Sequence, residues 1–150
     1  MLSILTGLPK NKKDDNVVCK KFANSTGLKI ILGSSTMKMF CREQNITPDI
    51  KINSKTHLPN YFINGIDFAS EGVIILNECF KILSGNNSNN TFANEVVNLI
   101  KKEKSLNFII GTADNGEHSF YKQNNLLPRE EIIKKIIELL KDKKITTEFV

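Results

Sequence analysis

Tryptophan is absent from this chain of 150 residues, which holds only three cysteines and two histidines. Each shortage removes a class of chemistry. Cys19, Cys41 and Cys79 are odd in number and lack the CxxC spacing of a zinc or redox site, so reduced thiols in or near a core are expected. Asp14-Asp15 is the start of a metal-binding pattern in some phosphatases, but one Asp pair without further carboxylates cannot build a two-metal site, and no metal ligands are assigned. No apolar run approaches the length of about 18 residues that a membrane-spanning helix needs. The start, MLSILTGLPK, puts no basic segment ahead of its short apolar part. The expectation is a soluble, cytoplasmic protein with no membrane partner. The GxxxxGK[ST] lysine loop of nucleotide hydrolases and the GxGxxG of dinucleotide folds are also missing.

What is present is ordinary globular composition, 40% hydrophobic and 25% charged. A chain of this size buries about 70% of its unfolded surface, enough for a real core, and one domain is the default. The net charge of +5 raises the question of nucleic acid. The distribution argues against it. Lysines gather around Lys10 to Lys13, Lys20-Lys21, Lys101 to Lys104 and Lys141 to Lys144, the last two at expected helix ends where cations suit the macrodipole, and no aromatic is interleaved to stack bases.

Strand-like runs alternate with helical ones. Leu2 to Thr6, Leu28 to Leu32, Gly65 to Glu71, Leu106 to Ile110 and Ile145 to Phe149 read as strands, and Asp49 to Asn53 as a half-exposed edge strand. Asp14 to Asn24, Thr36 to Gln44, Val73 to Leu83, Thr91 to Lys104 and Arg129 to Lys141 have helical spacing, the fourth capped by Thr91 with Glu95. Ser54 to Asn64, with His57 exposed, and Phe120 to Leu127 are expected to be loops. The order predicts a single Rossmann-like three-layer α/β domain, with a mostly parallel sheet and helices on both faces.

In such a sheet the turns after the strands open onto one rim, where ligands bind. Gly33, Ser34, Ser35 and Thr36 precede a helix and offer backbone N–H groups and hydroxyls to a phosphate or carboxylate; alternatively the hydroxyls only cap that helix, worth about 1 kcal/mol. Glu71 and Gly72 end another strand, with Glu71 placed either to favour the helix N-terminus or to accept from a ligand. Thr112, Asn115 and His118 lie in a third polar exit. His118 with Ser34 or Ser35 is the pairing that a small hydrolase would use, but no local motif supports it and no catalytic residue is assigned.

The turns, in order, resemble a known segment. Gly7-Leu8-Pro9, Leu32-Gly33-Ser34-Ser35-Thr36, Leu58-Pro59, Ser70-Glu71-Gly72 and Asn115-Gly116-Glu117-His118 are similar to the signatures of the segment that follows the catalytic domain in bacterial serine phosphatases of the stage II sporulation protein E type. The likeness runs over essentially the whole chain. Ser34 replaces a glycine, Ser35 and Ser70 replace threonines, and Gly116-Glu117 replaces Pro-Ala. The resemblance implies a non-catalytic regulatory module without metal-dependent phosphatase activity, associated with a serine phosphatase domain. The expected function is a sensor of a small anionic ligand at the rim. A module that only binds protein, as a homodimer or against a partner domain, is the alternative; no cofactor is indicated.

Overall fold

Runs of branched apolar residues form the strands of a seven-stranded sheet, seen in a computed structural model that describes residues 1–114 and 116–150. In chain order the elements are β1 (Leu2–Thr6), α1 (Asp15–Ala23, entered through a 3-10 turn), β2 (Leu28–Leu32), α2 (Ser34–Gln44), β3 (Asp49–Ile52), β4 (Pro59–Phe62), β5 (Phe68–Ser70), α3 (Val73–Leu83), α4 (Thr91–Lys102), β6 (Ser105–Ile110), α5 (His118–Gln123), α6 (Arg129–Glu138) and β7 (Lys144–Phe149). The spatial order is β3-β4-β5-β2-β1-β6-β7. Five neighbours, β5, β2, β1, β6 and β7, are parallel, while β4 runs antiparallel to both β3 and β5. The expected Rossmann-like α/β architecture is the observed one.

Alternation in the central strands divides the core between two helical layers. Leu2, Ile4, Ile30, Leu32, Phe108 and Ile110 face Ile75, Val96, Ile100, Ile132 and Ile136 of α3, α4 and α6. Leu5, Ile31, Ala69 and Ile109 face Phe22, Met37 and Phe40 of α1 and α2. Phe22 and Phe40 meet edge to face at 5.7 Å between ring centroids, a geometry that fixes how α1 packs on α2. All three cysteines are buried and free, and burial, with Asp15 nearby, pushes the Cys19 thiol up to about 12, so it stays protonated.

Four local readings change. The segment expected as a loop from Ser54 to Asn64 contains β4, which pairs Tyr61 with Ile50 and Pro59 with Ile52; Pro59 stands at the strand's first residue, where a missing N–H is tolerated. The turn between β3 and β4 is held by the Asn53 side chain, which accepts from the N–H groups of Lys55 and Thr56. Phe120 to Leu127 starts inside α5, a short helix whose Tyr121 is buried. The cap of α4 is Asn90, accepting from Ala93 at 3.0 Å, and not Thr91, which displaces the expected capping pair. Finally α2 begins at Ser34 with Gly33 at its N-cap, so the first two hydroxyl residues are already helical.

The connections place the functional rim. From β1 the chain steps outward through β2 to β5 with α1 and α2 on one face, then crosses back to β6 and β7 with α3, α4 and α6 on the other. Strand order therefore reverses between β1 and β6. Their carboxyl ends form the switch point at which open α/β sheets hold ligands.

Candidate ligand site at the sheet rim

The turn after β1 is drawn tightly against the turn after β6. Gly111 donates its N–H to the Thr6 carbonyl at 2.8 Å and Ala113 to the Leu8 carbonyl at 3.1 Å, continuing the ladder past the strand ends. A Cβ on Gly111 would lie 2.3 Å from the Gly7 carbonyl carbon, so only glycine permits this approach. Gly7 itself has φ 92° and donates its N–H to the Thr36 hydroxyl at 2.8 Å. Thr6 donates to the Leu32 carbonyl at 2.6 Å and accepts from Arg129 Nε at 2.9 Å. Buried hydroxyls thus join the rims of β1 and β2 to the start of α6.

Above this network lies a cavity of about 120 Å³ bordered by Gly7, Leu8, Gly33 to Thr36, Glu71 to Val73, Ala113, Asp114, Glu117, Tyr121 and Arg129. On one side is the N-terminus of α2. Its N-cap Gly33 supplies no side-chain acceptor, and among the described residues the N–H groups of Ser34, Ser35 and Thr36 find none either. The expectation that the hydroxyls cap this helix is corrected: Thr36, 1% exposed, is occupied by Gly7. The helix therefore opens into the cavity as a set of unsatisfied donors.

Arg129 borders the same cavity beside the α2 N-cap. One terminal guanidinium nitrogen lies 3.7 Å from the place a Cβ on Gly33 would occupy. Burial lowers the pKa of this guanidinium, an effect opposed by the charges of Tyr121, Glu71 and Glu117. It nevertheless forms no ion pair within 4 Å among the described residues. Partly desolvated arginine without a carboxylate in contact is a costly arrangement unless something else meets it.

The remaining polar groups are committed to the scaffold to different degrees. Glu71 caps α3, its Oε2 accepting from Ile74 N–H at 2.9 Å and Ile75 N–H at 3.3 Å, while burial still holds its pKa above the usual carboxylate value. Tyr61 lies near by, with a pKa raised by burial. Asp114 accepts from Gly116 N–H and from the His118 ring at 3.2 Å. Glu117 accepts from the Tyr121 hydroxyl at 3.3 Å. Glu71, Asp114 and Glu117 thus border the cavity together with the open end of α2.

Of the residues singled out from sequence, Gly33, Ser34, Ser35, Thr36, Glu71 and Gly72 border one cavity. Thr112 and His118 do not; they border a neighbouring hollow on the other side of Arg129 with Pro128 and Glu130, and Thr112 donates its hydroxyl to the Val150 carbonyl at 2.8 Å. His118 is therefore not brought together with Ser34 or Ser35. Asn115 lies outside the described residues. The residue that sequence reading missed is Arg129. A cation as the first residue of a helix opposes the macrodipole, and that local conflict was the available signal.

Fold and site together define a doubly wound α/β domain with a polar cavity at its topological switch point. Comparison with family models, with curated proteins and with solved structures finds no match. Among the described residues no helix is long and apolar enough to cross a membrane, and no group of three or more His, Cys, Asp or Glu could hold a metal ion.

Proposed function

We propose that the domain is a non-catalytic sensor that binds a small anionic ligand at the rim and passes its occupancy to a partner domain. One observation carries this: the Arg129 guanidinium and the uncapped N-terminus of α2 border one cavity, and among the described residues neither has a carboxylate within ion-pair distance. Those donors suit phosphate or carboxylate, while Glu71, Asp114 and Glu117 suit hydroxyl groups on the rest of the ligand. A serine phosphatase domain as the partner rests on the resemblance of the turns alone.

Thermal unfolding against phosphate, sugar phosphates, nucleotides and carboxylates tests the reading. A ligand at about 100 times its dissociation constant stabilises by about 2.7 kcal/mol, which moves the midpoint by several degrees in a domain of this size. The expected result is a shift with one anion class that disappears in Arg129→Gln. A shift retained in that variant, or no shift with any anion, overturns the reading.

A second reading, a homodimeric interaction module, draws on the edge hairpin, where Ile50, Ile52 and Phe62 are 57%, 60% and 52% exposed. Light scattering over a concentration series decides it, since a monomer throughout removes it.

A further inference from the structure

A second hollow, of about 400 Å³, adjoins the rim cavity and shares Leu8 and Ser35 with it. Its walls carry Lys10, Lys12 and Lys38, all exposed, together with Asp15 and Arg42. The last two neutralise each other: Arg42 bonds the nearly buried Asp15 at 2.7 Å and Glu43 at 3.0 Å. The three lysines have no such partner, since none forms an ion pair within 4 Å among the described residues. Three lysines therefore border one hollow with no ion-pair partner among the described residues.

We propose that this hollow is an anionic subsite continuous with the rim cavity, and that the ligand carries a chain of two or three phosphates running from Arg129 past Ser35 and over Leu8 to Lys10, Lys12 and Lys38. The inference rests on the reading of the rim as an anion site and deepens it. A single phosphate or carboxylate is matched by Arg129 and the α2 N–H groups, and leaves the lysines unused. Compact, rotatable ammonium groups suit several phosphates as point charges without fixed geometry. Charge separates the two spaces: Glu71, Asp114 and Glu117 border the rim cavity, while Lys10, Lys12 and Lys38 border the second hollow, so a phosphate chain extends toward the lysines and hydroxyls of the ligand meet the carboxylates. Both a free oligophosphate and a nucleoside di- or triphosphate have this chemistry.

Titration calorimetry on the whole chain, with orthophosphate, pyrophosphate and tripolyphosphate in metal-free buffer, tests the subsite. The expected result is affinity rising at least about tenfold from orthophosphate to tripolyphosphate, about 1.4 kcal/mol. In the triple variant Lys10→Gln, Lys12→Gln, Lys38→Gln that preference vanishes while orthophosphate binding stays; these exposed side chains have no packing role to lose. Arg129→Gln weakens all three probes. No preference among the probes in the parent chain, or a preference unchanged in the triple variant, overturns the subsite. Binding of all three unaffected by Arg129→Gln overturns the rim reading instead. Adenosine triphosphate is the source-distinguishing arm: tighter binding than tripolyphosphate, lost with the same lysines, assigns a nucleotide, and equal binding assigns the phosphate chain alone.

Discussion

Gly111→Ala isolates the contact on which the rim is built. The added methyl carbon would stand 2.3 Å from the Gly7 carbonyl carbon and the Leu8 oxygen and 2.4 Å from the Leu8 carbonyl carbon. Carbon atoms in contact prefer about 3.5 to 4 Å, and here every obstacle is backbone, so the two turns have to part by about 1 Å. Overpacking of this kind costs about 1–3 kcal/mol. Parting also strains the hydrogen bonds from Gly111 to Thr6 and from Ala113 to Leu8, each worth about 1 kcal/mol net. The sum is about 3–5 kcal/mol, a large share of the 5–15 kcal/mol typical of a domain, and about 10 °C in melting midpoint. Urea unfolding with the slope checked for constancy gives the number directly. Gly65→Ala is the control: its φ is 86° but nothing lies within 4 Å, so it meets only the left-handed backbone penalty of about 1–2 kcal/mol. Gly111 has no positive φ, so the two variants separate steric from conformational cost. A Gly111→Ala protein within about 1 kcal/mol of the parent refutes the close-approach argument.

Two further outcomes follow from the same geometry. Glu71 has its folded pKa raised above the ordinary 4.5, so its neutral form contributes stability that is complete below that value and is lost as pH rises through the folded pKa; urea midpoints from pH 4 to 7 therefore decline more steeply in the parent than in Glu71→Gln, and parallel profiles refute the assignment. Ile52→Lys, at a side chain 60% exposed, changes stability by no more than about 0.5 kcal/mol while abolishing any dimer built on the edge hairpin, as light scattering at high concentration reads.

Strands buried on both faces were the most legible part of the sequence. Ile30 to Leu32 and Phe108 to Ile110 carry apolar residues at successive positions because helices cover both sides. β4 was hidden for the opposite reason: it has four residues, starts with proline and buries only Tyr61, and its pairing with β3 is a tertiary fact. α5 likewise buries only Tyr121 among its six residues. In the site, Gly33 to Thr36, Glu71 and Gly72 were legible because each sits at the end of a recognisable strand. Arg129 was not, since it reaches Thr6 across 123 residues of sequence. The hydroxyl of Thr36 read as a helix cap or a ligand donor, and its use by Gly7 depends on how β1 lies beside β2. His118 follows a strand end as expected, yet α5 carries it to the far side of Arg129.

That internal use of Thr6 and Thr36 limits what the rim can offer a ligand. Thr6 already donates to Leu32 and accepts from Arg129, and Thr36 accepts from Gly7, so the buried hydroxyls fix the cavity's shape instead of reading its contents. The open donors are the backbone of α2 and the guanidinium of α6, and these belong to different layers: α2 packs with α1 on one face of the sheet, α6 with α3 on the other. An anion held by both ties the two helical layers together across the carboxyl end of the sheet, at the one place where the strand order reverses and no strand connection does so. Because the donors are positioned before binding, little ordering cost attends the ligand itself. On the proposed reading, an anion would add a charged bridge to the Thr36–Gly7 and Thr6–Arg129 hydrogen bonds that already link α2 to α6 through β1.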